Sequence, residues 1–164
     1  MTVEEPQAAT FADLYSETVG DLFAYVATLV GDRAAAEDVV ALTYEKAYRK
    51  RRSFDARRGS PRAWLFGIAR NAALDELRRR KRTVALVAEP GELAVDDDPD
   101  GITRRATVRS ALAGLEPRDR EVIALRYHGD LSNAEVARLL GVSESNAGTL
   151  LHRAMTKLRE ACDA

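Results

Sequence analysis

Leu131-Ser132-Asn133-Ala134-Glu135-Val136-Ala137-Arg138-Leu139-Leu140-Gly141-Val142-Ser143 is the stretch on which the fold turns. Ser132 followed three residues later by Glu135 forms a capping box, each side chain satisfying the other residue's backbone N–H, so a helix starts cleanly there. Ala137 is small where a second helix must cross closely. Gly141, four residues on, supplies the positive φ of a tight turn. Val142 plugs the corner and Ser143 caps the next helix. The pattern is that of a helix-turn-helix, whose second helix enters the DNA major groove by its N-terminal residues. Those residues are Ser143, Glu144, Ser145, Asn146 and Thr149, followed by His152, Arg153 and Lys157. Asn146 can pair bidentately with adenine, and Arg153 and Lys157 suit phosphates. A plain helical hairpin with an ordinary capping box is the bland alternative.

Outward from this motif, helical periodicity dominates the chain. A first helix is expected from Thr10, as N-cap, through Phe11, Leu14, Leu22 and Val26 to Val30, with Gly31 ending it. Asp32 caps a second, through Val39, Val40, Thr43 and Tyr44 into Arg52. Ser53 to Gly59 reads as a loop, and Ser60-Pro61 restarts a third helix that runs to about Arg82. Helices are also expected around Thr103–Ala113, Pro117–Tyr127, Ser132–Leu140 and Ser143–Ala161. Between them Glu89-Pro90-Gly91 and Asp96-Asp97-Asp98-Pro99-Asp100-Gly101 are acidic and turn-rich, with too little apolar surface for a core. The expectation is an all-α chain of two small helical domains joined by an acidic flexible linker. The boundaries read as a disordered N-terminus over 1–9, a domain over 10–82, the linker over 83–102 and a second domain over 103–164.

Charge is spread very unevenly for a net of −1. Residues 1–48 hold two basic side chains against nine acids, and residues 49–82 hold thirteen against three. Residues 83–100 carry six acids and no base. The basic block is the electrostatic footprint of something that meets phosphates, the alternative being a solvated helix face. On a wheel, Leu65, Ile68, Ala69 and Ala72 form one apolar stripe of the third helix. Trp64, Asn71, Asp75, Arg78 and Arg82 share the neighbouring face. An aromatic, an amide and arginines on one face suit strand-separated DNA, because flat groups stack on bases while cations hold the backbone. Trp64 taken singly is as readily a core residue.

Other classes are poorly served. No run of about 18 apolar residues is present, so no membrane span is expected. Met1 to Thr10 is acidic and polar, unlike a secretory signal, and a cytoplasmic location follows. The single cysteine, Cys162, excludes an internal disulfide framework and a cysteine-built zinc site. His128 and His152 lie near no cysteine or paired carboxylate at catalytic or ligand spacing, so no enzyme, metal or cofactor is expected. His128 reads as a helix end before Gly129, and Asp96-Asp97-Asp98 as solvated linker.

Glu37-Asp38-Val39-Val40, Thr43-Tyr44-Glu45-Lys46-Ala47-Tyr48-Arg49, Pro61-Arg62-Ala63-Trp64-Leu65-Phe66-Gly67-Ile68-Ala69-Arg70-Asn71 and Arg78-Arg79-Arg80 resemble region 2 of bacterial sigma factors. Leu115-Glu116-Pro117-Arg118-Asp119-Arg120-Glu121-Val122 through Leu151-His152-Arg153-Ala154 and Lys157-Leu158-Arg159-Glu160 resemble region 4. With only these two regions and a short linker, the chain is similar to the extracytoplasmic-function group, group IV. The resemblance implies a factor that directs core RNA polymerase to promoters and helps melt the −10 element. It implies that region 2 binds the clamp helices of the largest subunit, with Asp38 and Arg49 on that surface, and that the flap is a further polymerase contact. The Ser53–Gly59 loop, with Asp55 and Arg57, would hold a flipped base, while Asn71 and Arg78 meet the −10 strand. Region 4 would read the −35 element, the acidic linker would thread toward the active-site and RNA-exit path, and an anti-sigma protein would cover the same surfaces. Two positions depart from the family pattern: Ala41 and Leu42 stand where Gln-Glu is usual, and Gly148 and Leu150 stand where basic residues are common. Gly148 costs about 1 kcal/mol relative to Ala inside a helix.

Three rival readings compete. A stand-alone helix-turn-helix regulator would bind a duplex palindrome as a dimer, but it leaves the basic block unexplained. A nucleic-acid enzyme lacks residues to do chemistry. A pure interaction protein would dock its basic helix on an acidic partner.

Overall fold

The computed structural model describes residues 7–84 and 99–164, with side chains for 10–83 and 104–164. The described residues form α1 (Gln7–Val30), α2 (Arg33–Arg49), α3 (Pro61–Val84), α4 (Pro99–Gly114), α5 (Pro117–Tyr127), α6 (Asn133–Leu140) and α7 (Glu144–Asp163), and no strand. The chain is all-α, as the periodicity implies.

Local chemistry sets most of the helix ends. Asp32 caps α2 by accepting from the Ala35 N–H at 3.1 Å, and the Ser60 hydroxyl caps α3 through the Ala63 N–H at the same distance. The capping box on α6 is complete, with Ser132 Oγ bound to the Glu135 N–H and the Glu135 carboxylate bound to the Ser132 N–H, each at 3.2 Å. Gly141 follows at φ 71°, a left-handed conformation that side chains other than glycine adopt at a cost. Ser143 then caps α7 through the Asn146 N–H at 3.1 Å.

Three boundaries differ from the sequence reading. Thr10 is not an N-cap, since α1 already begins at Gln7 and Gln-Ala-Ala are good helix formers. α2 does not reach Arg52. It stops at Arg49, and a 3-10 turn takes over Arg51–Ser53, where Ser53 turns both its N–H and its hydroxyl back onto the Lys50 carbonyl. α4 starts at Pro99, several residues before the expected Thr103, with proline at the helix start where its missing N–H costs nothing. The expected disorder before residue 10 and the linker acids from Glu89 to Asp98 lie wholly or mostly outside the described residues.

One hydrophobic cluster runs through both halves. Leu22, Tyr25 and Val26 of α1 meet Leu65, Phe66 and Ala69 of α3, all fully buried, and the Tyr25 and Phe66 rings lie 5.2 Å apart. Each such large side chain contributes roughly 1.5–3 kcal/mol by leaving water. In the second half Val122, Leu125, Leu131 and Val136 are buried beneath α7. Ala137, Ala147 and Ala154 are small where the helices cross, so α6 and α7 approach closely. The buried Thr18 hydroxyl and Tyr44 hydroxyl bind each other at 2.7 Å, and no buried side-chain polar atom among the described residues is left unpaired.

Candidate nucleic-acid interface and the seam beside it

α3 presents the face that the sequence singles out. Trp64 is half-buried and meets the Phe54 ring edge-on at 5.6 Å, so the loop before α3 supplies an aromatic partner that spacing alone did not reveal. Trp64 packs on the core with one side and leaves the rest of its ring accessible. Asn71, Asp75, Arg78 and Arg82 are exposed on the same helix. Asp75 and Arg78 pair with each other at 3.1 Å, with both side chains about two-thirds exposed, a contact worth little in water. The loop has its own order. The Asp55 carboxylate accepts from the Arg57 guanidinium at 3.1 Å and from the Arg57 N–H at 3.0 Å. Those two bonds, the side-chain one first, hold the Asp55 carboxyl below its ordinary pKa. Arg57 still offers most of its guanidinium to solvent.

The start of α7 is exposed at Glu144, Ser145, Asn146, Thr149, His152 and Arg153, as a groove-entering helix requires. Two expected contacts are partly committed elsewhere. The Ser143 hydroxyl is the helix cap, and the Lys157 ammonium is 2.8 Å from the carboxylate of Asp119, a buried residue of α5. Gly148 is not demanded by crowding, since a Cβ there would meet Asn133 at an ordinary 3.7 Å.

On α2, Asp38, Leu42, Glu45 and Arg49 recur at helical spacing along an exposed strip. Arg49 donates to Glu45 at 2.6 Å. Leu42 is 41 % exposed, a large apolar side chain with no covering element.

Sequence reasoning missed the residues that join the two halves. The Arg70 guanidinium of α3 donates to the buried Glu121 carboxylate of α5 at 3.0 Å, and the Tyr25 hydroxyl donates to the same carboxylate at 3.4 Å. Burial first, and then the Glu121 charge, pushes the Tyr25 phenol well above its ordinary pKa. Arg62, on the first turn of α3, donates to the carbonyls of His128 and Gly129 at the end of α5 and pairs with Asp21 of α1. Ser60 binds Glu135 through both its hydroxyl, at 2.6 Å, and its N–H, at 3.3 Å. A cavity of about 390 Å³ separates α3 from α6, lined by Trp64 and Asn71 on one side and by Glu135, Arg138 and Leu139 on the other. α6 approaches closely at two points: a Cβ on Gly67 would lie 3.1 Å from Leu139, and one on Gly59 would lie 3.3 Å from Arg138. The second half, through α6, thus stands beside the aromatic and amide groups of α3.

No group of three or more His, Cys, Asp or Glu side chains able to hold a metal occurs among the described residues. No helix among them is long and apolar enough to cross a membrane.

Comparison with known proteins gives a consistent picture. Residues 14–83 match the family model "Sigma-70 region 2", and residues 105–158 match "Sigma-70, region 4". The ECF RNA polymerase sigma factor SigL of Mycobacterium tuberculosis is 34% identical over 157 residues, covering 93% of this chain and 89% of that protein. Among solved structures, the sigma factor RpoE in complex with the anti-sigma factor NepR from Bartonella quintana superposes with a TM-score of 0.83 at 26% identity, covering 94% of this chain and 98% of that one. CnrH in complex with the cytosolic domain of CnrY gives 0.72 at 26% identity, over 96% and 90% of the two chains. Matches to both halves, in order, leave the stand-alone helix-turn-helix reading without support.

Proposed function

This chain belongs to the sigma-70 family, in its extracytoplasmic-function branch, and from that premise we propose how its own residues divide the work of initiation. As a sigma factor it acts with core RNA polymerase at promoter DNA. The α3 face of Trp64, Asn71, Asp75, Arg78 and Arg82, with Asp55 and Arg57 in the preceding loop, takes the separated −10 strand. Trp64 and Phe54 offer flat groups for bases, and the arginines hold the backbone. The start of α7, from Ser143 through Asn146 to Lys157, reads the −35 duplex. Asp38 and Arg49, on the exposed strip of α2, meet the polymerase. Residues 10–82 and 103–164 are the working units and 83–102 the connection between them.

The observation that carries this reading is the pairing of two separately built nucleic-acid faces in one chain. A stacking face on α3 suits single strands, and a capped, exposed helix start on α7 suits the major groove. On this reading the chain works by binding and not by catalysis. It works in the cytoplasm, where polymerase and promoter are found. An anti-sigma protein is a partner of the same kind as those bound to RpoE and CnrH.

The test is reconstitution with core RNA polymerase and run-off transcription from a promoter library. Transcription that depends on the chain, and that Asn71→Ala weakens at the melting step without loss of polymerase binding, is expected. Failure to bind core, with tight binding to a duplex palindrome, would overturn the assignment.

A further inference from the structure

The cavity of about 390 Å³ between α3 and α6 sorts its lining by chemistry along its length. Trp64 and Asn71 stand two turns apart on α3, about 10 Å along the helix axis. Arg58 lies at the Trp64 end, next to Gly59, and Arg138 of α6 reaches the same end, where its guanidinium would meet a Cβ on Gly59 at 3.3 Å. Leu139 faces α3 from the opposite wall. Two of the charged groups that line the cavity are already committed. Arg70 binds Glu121, and Glu135 binds Ser60 and Ser132. Arg58 and Arg138 are exposed and form no ion pair with any described residue. The Asp55 carboxylate, close enough to feel the Arg58 charge, is bonded to Arg57 instead. The Asn71 side-chain amide has no hydrogen-bond partner among the described residues.

We infer that this cavity binds a free purine nucleotide, with the base on the Trp64 ring, the base edge at Asn71 and the phosphate between Arg58 and Arg138. Two unpaired cations at one end, a flat ring beside them and an unpaired amide beyond repeat the order of groups in a nucleotide. Guanidinium forks grip phosphate oxygens by paired bonds, and an indole offers a stacking surface to a base. An amide supplies the donor and the acceptor that a base edge needs. The volume lies within the range of roughly 300–1,000 Å³ that small-ligand sites occupy. An inorganic anion would leave the ring and the amide unused, and an apolar ligand would leave the two guanidiniums without a counterion. A continuous strand finds no path through, because α6 comes close at both Gly59 and Gly67. The binding does not rest on the sigma reading. Trp64 and Asn71 serve both this site and the proposed −10 face, so nucleotide and strand exclude one another, and that consequence does rest on it.

Trp64 is the single tryptophan of the chain, so its fluorescence reads the site directly. AMP, GMP and UMP are titrated into the full chain, with excitation beyond the purine absorption band. Saturable quenching by AMP or GMP is expected, at half-saturating concentrations at least about tenfold below those of adenosine or guanosine, which lack the phosphate. Arg138→Ala, a surface change on the half that does not carry Trp64, should weaken nucleotide binding at least about tenfold, or about 1.4 kcal/mol, with the melting temperature unchanged. Arg58→Ala should do the same. Quenching no stronger than that of free N-acetyltryptophanamide, nucleosides that bind as tightly as nucleotides, or binding indifferent to Arg138→Ala would overturn the site. UMP binding as tightly as AMP and GMP would overturn the purine assignment. Quenching by single-stranded DNA alone would give these groups wholly to the DNA face and also overturn the site. Permanganate reactivity of the −10 thymines, read without substrate nucleoside triphosphates, tests the exclusion. The tighter purine monophosphate, mixed with the chain before core polymerase is added, should lower that reactivity, and Arg138→Ala should restore it. Reactivity indifferent to the nucleotide would overturn the exclusion. No reactivity even without nucleotide would count against the sigma reading and leave the fluorescence result standing, so the two failures stay separate.

Discussion

Ser60 and Glu135, 75 residues apart in sequence, are bound at 2.6 Å, and each is at the same time the capping residue of its own helix. Ser60 caps α3, and Glu135 completes the capping box of α6 with one carboxylate oxygen while the other holds Ser60. A single carboxylate therefore ties together the starts of two helices from different halves. Removing it costs a cap and a long-range bond at once. Glu135→Ala should lose about 2 kcal/mol in urea unfolding, against about 1 kcal/mol for a cap alone. Ser60→Ala combined with it should add less than its own single cost, because the two share the bond. Full additivity would show that the bond contributes nothing in solution.

Arg70 and Glu121 make the stronger test of the seam. The Glu121 side chain is 7 % exposed, so its charge depends on Arg70 and the Tyr25 hydroxyl for compensation. Arg70→Met should cost about 3 kcal/mol, because it strands a buried carboxylate, while Arg70→Met with Glu121→Leu should recover most of that loss. Chemical denaturation of the four proteins in the cycle checks it. A single variant that costs nothing would mean that water reaches Glu121 in solution.

Acid should lower the stability of the fold in two steps. Burial holds the His128 imidazole below its ordinary 6.5, with Asp21 opposing it. The unfolded chain therefore takes up that proton first, and stability falls as pH drops through about 6.5. For Glu135, burial raises the carboxyl, but the bonds from Ser60 and Ser132 together outweigh it and hold it below 4.5. Its contribution is present above 4.5 and is lost as pH falls through the depressed value. A melting-temperature profile should show both losses, and His128→Gln should remove only the upper one.

How much of this was readable in advance depends on range. The capping box at Ser132 and Glu135, the turn at Gly141 and the restart at Ser60-Pro61 are local chemistry, and each is where the residues place it. Thr10 misled because a threonine in a good helical context need not be a cap, and Gln-Ala-Ala upstream simply extends the helix. The seam was invisible for a different reason. Glu121 follows Arg120 on a charged helix and reads as solvated, and nothing local says that Arg70, 51 residues earlier, will bury it. Lys157 shows the same limit, since nothing local says that its ammonium also meets the carboxylate of Asp119, 38 residues earlier.

The two proposed DNA faces separate by substitution. Trp64→Ala and Asn71→Ala should slow open-complex formation by about tenfold each, the loss of one stacked base or one good hydrogen bond, with duplex −35 binding unchanged. Replacing Glu144 to Asn146 should instead change which −35 sequence is preferred. Permanganate reactivity of the −10 thymines and a promoter-library selection distinguish the two effects. A −35 change from Asn71→Ala would mean that the α3 face meets duplex DNA.

Leu42 carries the last prediction, because it is where this chain departs from the family pattern on the strip shared with Asp38 and Arg49. A leucine 41 % exposed among charged neighbours loses water when a partner covers it. Covering the remaining two-fifths of its surface is worth roughly 1 kcal/mol, or about fivefold in affinity, and a charged side chain buried at that point costs more. If the polymerase contact is apolar at this point, Leu42→Glu should weaken core binding by about tenfold or more, while the helices melt nearly unchanged because Leu42 lies outside the buried core. Leu42→Met, which keeps the apolar surface, should bind normally. Tighter binding by Leu42→Glu would instead show that the polymerase still presents the polar surface that the usual Gln-Glu pair meets, and that this chain binds core despite its leucine.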